Sequence, residues 1–519
     1  MTAGPVRQTR EVEAKFRVNA PFVLPSLTGA RTGAADVSDP VRQELRATYW
    51  DTTDFRLARA GVTLRHRCGE GAASDGWHLK IPSSVDAGGA ETAARDELHE
   101  PGSETEVPDA LRNLVTPWVR TAAIGPVVTL QTQRDRRLLT DAAGEPLVEV
   151  TDDTVSVETA GHVSGRFREI EIEDRGGGIA AIGAVGDVLR TAGAVGGEFM
   201  PKVVRALGPL ATAEPDPPLP GRALRRDPAR LVIRAALRRD VAALIAADVM
   251  VRRDEPDAIH KMRVCSRRLR SQLKSVRPLL DSEWATSLRD ELRWLADQLG
   301  GARDDEVFAE RMVAALDTLP PAVLAEGLRA KVITLLTAGQ ADRTGQVADV
   351  LRSERYVVLL ERLVDAAWEP MTTAAEDLAS DVLPALARRE WRQLARAARR
   401  LRAPGSTDAD WHNARIQAKR LRYYCEAVTG TFGTPAARLA RQAEAVQDVL
   451  GRQQDAVVAA ERLRQIAGRV RSGATAGSAA FVLGALYAAQ QDEIRRTRRK
   501  FAAVWKRAAQ PRHRRWLKA

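Results

Sequence analysis

A single proline-rich segment, A-E-P-D-P-P-L-P-G-R at residues 213–222, separates two stretches of sequence that follow different periods. Before it, residues 11–205 are rich in valine, threonine and glycine and contain short alternating runs, which are typical of β-strands. After it, residues 223–519 are dominated by alanine, leucine and arginine, which favours helices of about 15–25 residues. The sequence therefore predicts a β-rich domain, a spacer with little regular structure and an all-α domain.

The charge of the chain changes at the same place. Residues 1–220 carry 24 basic and 32 acidic side chains, a net charge of −8, whereas the rest of the chain carries 55 and 36, a net of +19. A basic domain attracts polyanions, and an acidic domain can concentrate cations. Three widely spaced cysteines exclude a disulfide framework, and we find no long apolar run or signal segment. We therefore expect a cytoplasmic protein without a membrane segment.

The first predicted strand, E-V-E-A-K-F-R-V at residues 11–18, places its charged side chains on one face. Side chains two positions apart in a strand point the same way. One face therefore carries Glu11, Glu13, Lys15 and Arg17, and the other face is apolar. Taken alone, this pattern would describe a strand with a solvated face.

Like charges recur at the same spacing in later segments. Arg65 and Arg67 form one such pair, Arg134 and Arg136 another, and an acidic run contains Glu169, Glu171 and Glu173. Neighbouring like charges repel, so a folded sheet tolerates them best in water or around a counter-charge. Carboxylates suit Mg²⁺ or Mn²⁺, and paired arginines suit phosphate oxygens. A site that contains both kinds of pair would hold a metal-bound oligophosphate.

In this order the segments resemble the CYTH (triphosphate tunnel metalloenzyme) superfamily. E-V-E-A-K matches its Glu-x-Glu-x-Lys signature, and the resemblance extends over residues 8–207. It continues through Y-W-D-T-T (49–53), L-R-H-R (64–67), L-K (79–80), R-D-E (95–97), L-V-E-V-T-D-D (147–153), E-I-E-I-E (169–173) and P-K-V-V-R (201–205). The resemblance implies an eight-stranded antiparallel β-barrel, with helices, whose inward charges hold a triphosphate.

The resemblance also implies a role for each charged residue. Metal ions, Mg²⁺ or Mn²⁺, would be bound by Glu11, Glu13, Asp152, Glu169, Glu171 and Glu173, with Asp153 as an alternative to Asp152. Phosphates would be held by Lys15, Arg65, Arg67, Lys80, Arg134, Arg136 and Lys202. Lys15 and Lys80 are predicted to be catalytic, and the general base is left open between lysines and carboxylates.

The second half of the chain contains an internal repeat. H-K-M-R-V-C-S-R-R-L-R (260–270) aligns with H-N-A-R-I-Q-A-K-R-L-R (412–422), and L-G-G-A-R-D-D (299–305) aligns with L-G-R-Q-Q-D (450–455). On a helix the repeated basic positions form a stripe about 80° wide and roughly 15 Å long. The stripes are His260, Arg263, Arg267 and Arg270 in one copy, and His412, Arg415, Lys419 and Arg422 in the other. Two stripes in one register favour anion binding over a solvated basic face.

This half resembles the CHAD (conserved histidine α-helical) domain over residues 224–510, after a spacer at 208–223. The resemblance implies two pseudo-symmetric four-helix bundles and a basic cavity that binds inorganic polyphosphate, with association with polyphosphate granules. The whole chain is then an α+β multidomain protein.

The function that follows is metal-dependent hydrolysis of inorganic triphosphate or short polyphosphate, with polyphosphate bound by the helical domain. A thiamine triphosphatase and a class IV adenylate cyclase are alternatives that use the same barrel. A non-catalytic polyphosphate-binding protein is a further alternative, and the basic half leaves nucleic acid as an alternative partner.

Overall fold

The computed structural model describes residues 7–71, 73–83, 92–159, 161–197, 199–320, 323–324, 327–338, 344–373, 375–470 and 476–518. The chain divides into two compact units, Met1–Asp216 and Pro217–Ala519. The division falls inside the proline-rich segment, between the predicted domains 8–207 and 224–510. None of the described helices combines the length and the apolar character needed to cross a membrane.

The first unit is built on a closed antiparallel β-barrel. Its strands are β1 (Arg7–Val18), β2 (Asp36–Val37), β3 (Val41–Asp51), β4 (Thr63–Cys68), β5 (Gly76–Pro82), β6 (Thr92–Glu100), β7 (Gly125–Thr140), β8 (Pro146–Thr159) and β9 (His162–Asp174). Eight of them follow the order β7-β3-β4-β5-β6-β1-β9-β8, and pairing of β7 with β8 closes the barrel. The two-residue β2 adds to the edge of β7. The predicted eight-stranded antiparallel barrel is thereby confirmed.

The helices of the first unit are α1 (Arg56–Arg59), α2 (Asp109–Val119), α3 (Gly178–Thr191) and α4 (Lys202–Leu207). The apolar faces of β1, β8 and β9 pack on α3, where Phe16, Ile170, Ile172 and Leu189 are buried. Each such side chain contributes about 1.5–3 kcal/mol by its burial. Because a slip of one residue would expose this whole set, the outer core fixes the register that turns the charged faces inward.

One half of the barrel interior is apolar. Val128, Leu130, Val155 and Val157 form a buried cluster there with residues of β3 and α4. A 3-10 helix, Gly208–Thr212, follows α4 and adds Ala211 to this cluster. The helix α4 therefore fills one half of the barrel, and the charged side chains are confined to the other half.

The second unit is helical. Its helices are α5 (Ala229–Arg252), α6 (Ala258–Ser275), α7 (Ser282–Gln298), α8 (Gly300–Leu316), α9 (Leu328–Thr337), α10 (Thr344–Arg352), α11 (Glu354–Trp368), α12 (Ala379–Leu401), α13 (Asp408–Ala427), α14 (Thr429–Phe432), α15 (Thr434–Arg469) and α16 (Ala476–Ala508). The helices α5, α6, α7 and α11 pack as one group. The helices α12, α13, α15 and α16 pack as a second group, in which the rings of Trp391 and Trp505 stack. These groups match the predicted pair of four-helix bundles.

The helices α15 and α16 contain 36 and 33 residues and are longer than the sequence pattern predicts. Pro435 lies in the first turn of α15, where proline is tolerated, and no later proline interrupts the helix. Glycines such as Gly451 cost only about 1 kcal/mol each in a helix interior. Packing of the two long helices against each other offsets that cost.

Candidate functional site

The charged faces of the barrel strands enclose a cavity of about 270 Å³. Its walls come from β1, β3, β4, β5, β6, β7, β8 and β9 and from the first turn of α4. Most of the predicted site residues line it: Glu11, Glu13, Lys15, Arg65, Arg67, Lys80, Arg134, Arg136, Glu171, Glu173 and Lys202. The structure thus brings together side chains that are up to 191 positions apart in the chain, from Glu11 to Lys202.

The register of the barrel places cations opposite carboxylates. Lys15 lies opposite Glu171 in the β1–β9 pair, and Lys80 lies opposite Glu97 in the β5–β6 pair. Arg134 lies opposite Asp153 in the β7–β8 pair. Opposed unlike charges stabilise neighbouring strands, so the acids act as internal counter-ions for the bases.

Glu171 is the centre of the first ion-pair group. Lys202 Nζ lies 2.6 Å from Glu171 Oε1, Arg134 Nη2 donates to Oε2 over 3.1 Å, and Lys15 Nζ also donates to Oε1. Asp153 accepts two hydrogen bonds from Arg134, at 2.8 and 2.7 Å, and lies 2.9 Å from Lys202. Burial raises the pKa of Glu171, but Lys15, Lys202 and Arg134 outweigh it and hold that pKa well below its usual range. This carboxylate is therefore ionised and fully paired.

Glu97 is the centre of the second ion-pair group. His78 Nδ1 lies 2.9 Å from Glu97 Oε1, Arg65 lies 3.7 Å from it and Lys80 lies 3.8 Å from it. Lys80 also donates a hydrogen bond to Glu11. Burial raises the pKa of Glu11 to about 8, against the charge of Lys80, and a hydrogen bond with Glu97 adds to the rise. Glu11 therefore holds its proton to a higher pH than an ordinary carboxyl, and Glu97 keeps its charge.

Lys80 keeps its proton in this environment. Burial lowers the pKa of Lys80, but the charges of Glu11, Glu97 and Glu13 outweigh it and raise that pKa above its usual range. A lysine held in this way can neutralise a phosphate oxygen, and it is a poor general base.

The inward carboxylates converge on Lys15 and Lys202. Within the part of the chain that the structure describes, no group of three or more His, Cys, Asp or Glu side chains could hold a metal ion unaided. Lys15 Nζ lies 3.4 Å from Glu13 Oε2 and 4.0 Å from Glu169 Oε1, and it also contacts Glu171, so three carboxylates already face one cation. Mg²⁺ in phosphate sites is often bound by one or two carboxylates together with substrate phosphates and waters. Glu13 and Glu171 therefore fit a divalent cation that a phosphate chain brings with it.

Asp152, predicted as a metal ligand, faces away from the cavity. It accepts two hydrogen bonds from Arg168, at 2.8 and 2.7 Å, on the outer surface of the barrel. Asp153 instead points inward and is fully buried. The reason is strand alternation, because Val148 and Val150 lie in the outer core and Asp152 shares their face. The prediction for Asp152 is thus corrected in favour of its neighbour.

The remaining predicted acids and Arg136 lie at the two margins of the first ion-pair group. Glu169 is buried behind it, 3.1 Å from Lys202 and 3.5 Å from Arg205, and lines a neighbouring cavity of about 200 Å³. Glu173 lies 2.7 Å from Arg175, and Arg136 lies 3.4 Å from Glu149. The six predicted metal ligands therefore do not form one cluster.

Tyr49, Glu97 and Glu149 lie in or beside the cavity and were not among the predicted site residues, and Asp153 was named only as an alternative to Asp152. Tyr49 accepts a hydrogen bond from Arg65 over 3.2 Å, and Glu97 orients Lys80 and Arg65. Glu149 and Asp153 are buried on the inner face of β8. Alternation from Val148 onwards would have placed both acids of β8 on the inner face. The roles of Tyr49 and Glu97 depend on neighbouring strands, which a single sequence does not reveal.

The two basic stripes of the helical unit meet where α6 packs on α13. Burial lowers the pKa of Lys419 to about 7, and the charges of Arg415, Arg267 and Arg263 add to the effect. Asp455, 3.8 Å from Arg415, opposes it. Four basic side chains thus share one part of the surface, which we call the cation cluster: Arg263, Arg267, Arg415 and Lys419.

The repeat is visible in the surroundings of the stripes. A Cβ atom added at Gly300 would lie 4.0 Å from Arg263, and one added at Gly451 would lie 3.8 Å from Arg415. His260 lies half-buried on α6, and His412 Nδ1 lies 3.1 Å from Gln454 Oε1. The side chain of Asp304, which the repeat pairs with Asp455, lies outside the described residues.

Two family models match the chain, the CYTH domain over residues 9–183 and the CHAD domain over residues 235–464. Uncharacterized protein Rv2226 of Mycobacterium tuberculosis (strain H37Rv) is 33% identical, with 95% of each chain covered. Among solved structures, PptA from Streptomyces chartreusis is 24% identical and covers 54% of this chain and 100% of its own, with a TM-score of 0.45. The CHAD domain from the plant Ricinus communis is 23% identical and covers 54% and 94%, with a TM-score of 0.42.

Proposed function

We propose that this chain, which belongs to the family of proteins that join a CYTH domain to a CHAD domain, hydrolyses inorganic triphosphate or short polyphosphate in its barrel and binds polyphosphate with its helical unit. CYTH domains occur in triphosphatases and cyclases, and CYTH enzymes generally use divalent metal ions. The inorganic substrate, the catalytic residues and the polyphosphate are the parts that we propose.

One observation carries the proposal for the barrel: cations and carboxylates alternate in a single desolvated cavity, and each neutralises the other. Lys202, Arg134 and Lys15 surround Glu171. A cavity that only bound anions would need the bases without the acids. Phosphate oxygens that enter can replace the carboxylates as partners of these cations, and the released carboxylates can then serve a divalent cation.

The residues of the barrel would act mainly by position and charge. Arg65 and Arg134 neutralise phosphate oxygens, Lys80 and Lys202 do so as ammonium groups, and Tyr49 and Glu97 orient Arg65. Glu13 and Glu171 would hold Mg²⁺ or Mn²⁺, which when bound polarises a phosphoryl oxygen and lowers the pKa of a coordinated water. Cleavage of a phosphoanhydride demands little covalent chemistry from the protein, so fixed charges account for most of the expected rate.

The lining of the cavity favours an inorganic chain over a nucleotide. Its described residues are mostly charged, and the apolar half of the barrel is already filled by α4. At about 270 Å³ the cavity lies below the range of about 300–1,000 Å³ that is typical of sites for drug-sized molecules. A nucleobase would need apolar surface beside the phosphates, and that space is occupied.

A comparison of substrates tests this proposal. We expect the full chain with Mg²⁺ or Mn²⁺ to cleave tripolyphosphate at least about tenfold faster, in kcat/KM, than ATP or thiamine triphosphate. Preferred cleavage of thiamine triphosphate would favour the organic triphosphatase. Formation of cyclic AMP and pyrophosphate would favour the cyclase. Binding of tripolyphosphate without any phosphate release would favour a non-catalytic polyphosphate-binding protein.

The proposal for the helical unit rests on the cation cluster. Arg263, Arg267 and Arg415 act on Lys419, and Asp455 is the acid that opposes them most strongly. Such a surface attracts an anion of high charge density, and a long polyphosphate supplies one along the whole stripe. Binding of this kind would also bring the protein to polyphosphate granules. Competition between polyphosphate and DNA at matched salt distinguishes the nucleic-acid alternative.

The pH dependence of binding tests the cation cluster. Because the pKa of Lys419 is about 7, its charge is present below neutral pH and is lost above it. We expect the affinity for long-chain polyphosphate to fall several-fold between about pH 6 and pH 8, and Lys419→Arg to remove that fall since arginine stays charged. Fluorescence anisotropy at constant ionic strength measures the affinity of both proteins for polyphosphate at each pH. Equal pH slopes in the two would contradict the assignment.

The lowered pKa of Lys419 also affects stability, and its effect on the free energy of unfolding runs opposite to its effect on polyphosphate affinity as the pH rises. The unfolded lysine keeps its proton up to its ordinary pKa of 10.5, whereas the pKa of the folded one is about 7. The unfolded state therefore binds more protons between these values, so this residue contributes a free energy of unfolding that rises with pH across that window.

A further inference from the structure

The two basic stripes differ at their C-terminal ends. In the first copy the stripe continues past Arg270 to Lys274, four residues further along the same face of α6. The helix α7 packs on α6 and presents Arg289 and Arg293, which are also four residues apart. The first stripe therefore ends among further cations.

The second copy carries acids at the corresponding positions. The offset of 152 that relates the stripes pairs Lys274 with Glu426, and the offset of 151 that relates Gly300 to Gly451 pairs Arg293 with Glu444. Arg422, the counterpart of Arg270, lies 2.7 Å from Glu426 and 2.8 Å from Glu444. The charge at two repeat positions is thus reversed, and the second stripe ends in an internal ion-pair network.

The cations at the end of the first stripe act on one another. Burial and the charge of Arg293 lower the pKa of Arg270, and burial and Arg293 also lower the pKa of Arg289. The Nε atom of Arg289 is shielded from solvent and has no hydrogen-bond partner among the described residues. Two acids are near: Asp290 lies 3.0 Å from Arg293, and Asp297 opposes the repulsion on Arg270. A shielded N–H that lacks an acceptor is costly, so a movement of the Arg289 side chain towards a phosphate oxygen is favoured.

We propose that the path of polyphosphate on the helical unit is asymmetric: it runs along α6 onto Arg289 and Arg293 of α7, and it ends in the second copy at Arg422. This inference rests on the proposed binding of polyphosphate by the cation cluster. From Arg263 to Lys274 the path covers about 16 Å of helix. In this arrangement Arg422 stabilises the packing of α13 against α15, and Arg270 binds the anion.

Exchange of the charges between the copies tests the proposal. We expect Arg293→Glu, in the full chain, to weaken the binding of a polyphosphate of about 100 units about tenfold, and Arg293→Gln to weaken it by about threefold. Glu444→Arg gives the second copy the charge of the first, and we expect it to tighten binding by about threefold. Arg329→Glu is the matched control, because Arg329 is exposed on α9 in an ion pair with Asp317 and undergoes the same change of charge. Binding is measured by anisotropy over a series of salt concentrations.

Arg267→Glu separates this inference from the function on which it rests. If Arg267→Glu weakens binding while Arg293→Glu, Arg293→Gln and Glu444→Arg all match Arg329→Glu, the asymmetric path is refuted and binding by the cation cluster stands. If Arg267→Glu also matches the control, or the wild-type chain does not bind, both are refuted. A smaller salt slope in Arg293→Glu together with tighter binding by Glu444→Arg supports the path.

Discussion

Arg65→Ala is expected to lower kcat/KM for tripolyphosphate by about 100- to 1,000-fold while the fold stays intact, because removal of one preorganised donor from a desolvated site costs about that much. The side chain of Arg65 is only 14% exposed and is held by Tyr49 and Glu97 on the cavity wall. Its charge therefore acts in a medium where water screens it weakly. Steady-state phosphate release measures the effect, and circular dichroism verifies the fold.

The matched control for Arg65 is Arg42→Ala. Arg42 is 75% exposed on the outer face of β3, where it pairs with Asp135 at 2.8 Å. Both changes remove one arginine from a barrel strand, so a general effect of charge would appear in both. Equal losses in the two variants, or no loss in Arg65→Ala, would show that the cavity is not where phosphate is bound.

Asp153→Asn and Asp152→Asn should differ in both stability and activity. Asp153 is fully buried and pairs with Arg134 and Lys202, so its neutralisation leaves two cations under-compensated. We expect a loss of about 3 kcal/mol or more in the free energy of unfolding. We also expect phosphate release to fall by about 100-fold, because the two phosphate-binding cations lose their fixed position. Urea titration and the phosphate assay measure these two effects.

Asp152→Asn changes the adjacent residue and should do far less. Its partner Arg168 lies on the outer side of the barrel, where the bidentate pair is partly buried, and we expect its loss to cost about 1 kcal/mol. Activity should equal that of the wild type. If Asp152→Asn were the inactive variant and Asp153→Asn the active one, the inward placement of Asp153 and the outward placement of Asp152 would be wrong.

The contrast between these neighbours shows how far the sequence could lead. Alternation on β1 gave the inward set Glu11, Glu13 and Lys15 directly, because apolar residues fill every second position. On β8 the choice of Asp152 followed a motif match, although Val148 and Val150 already marked its face as apolar. Alternation along β8 would therefore have identified Asp153 as the inward acid from the sequence alone.

Other parts of the site could not be predicted because they depend on pairing between distant strands and helices. Glu97 meets Lys80 through the register of β5 and β6, and Asp153 meets Arg134 through that of β7 and β8. The neutralisation of Arg422 by Glu444 requires that α13 packs on α15. Such contacts follow from the tertiary structure, whereas the spacing of charges along one element is visible in the sequence.

The ion pairs of the barrel explain how it accommodates its buried charges. Burying so many charges is costly unless each is paired, and the acids provide that pairing when phosphate is absent. A phosphate chain with its divalent cation can take over both sets of partners at once, the bases by its oxygens and the acids by its metal. The site is therefore expected to need both: tripolyphosphate without a divalent cation would meet carboxylates that repel it.

Phosphate release from tripolyphosphate by the full chain, with Mg²⁺ or Mn²⁺ and again after chelation with EDTA, tests this account most directly. We expect turnover with the metal and a loss of at least about 100-fold after chelation, restored when the metal is returned. Turnover that persists in EDTA, or none under either condition, would contradict the claim that bases and acids of one cavity share a metal-bound triphosphate.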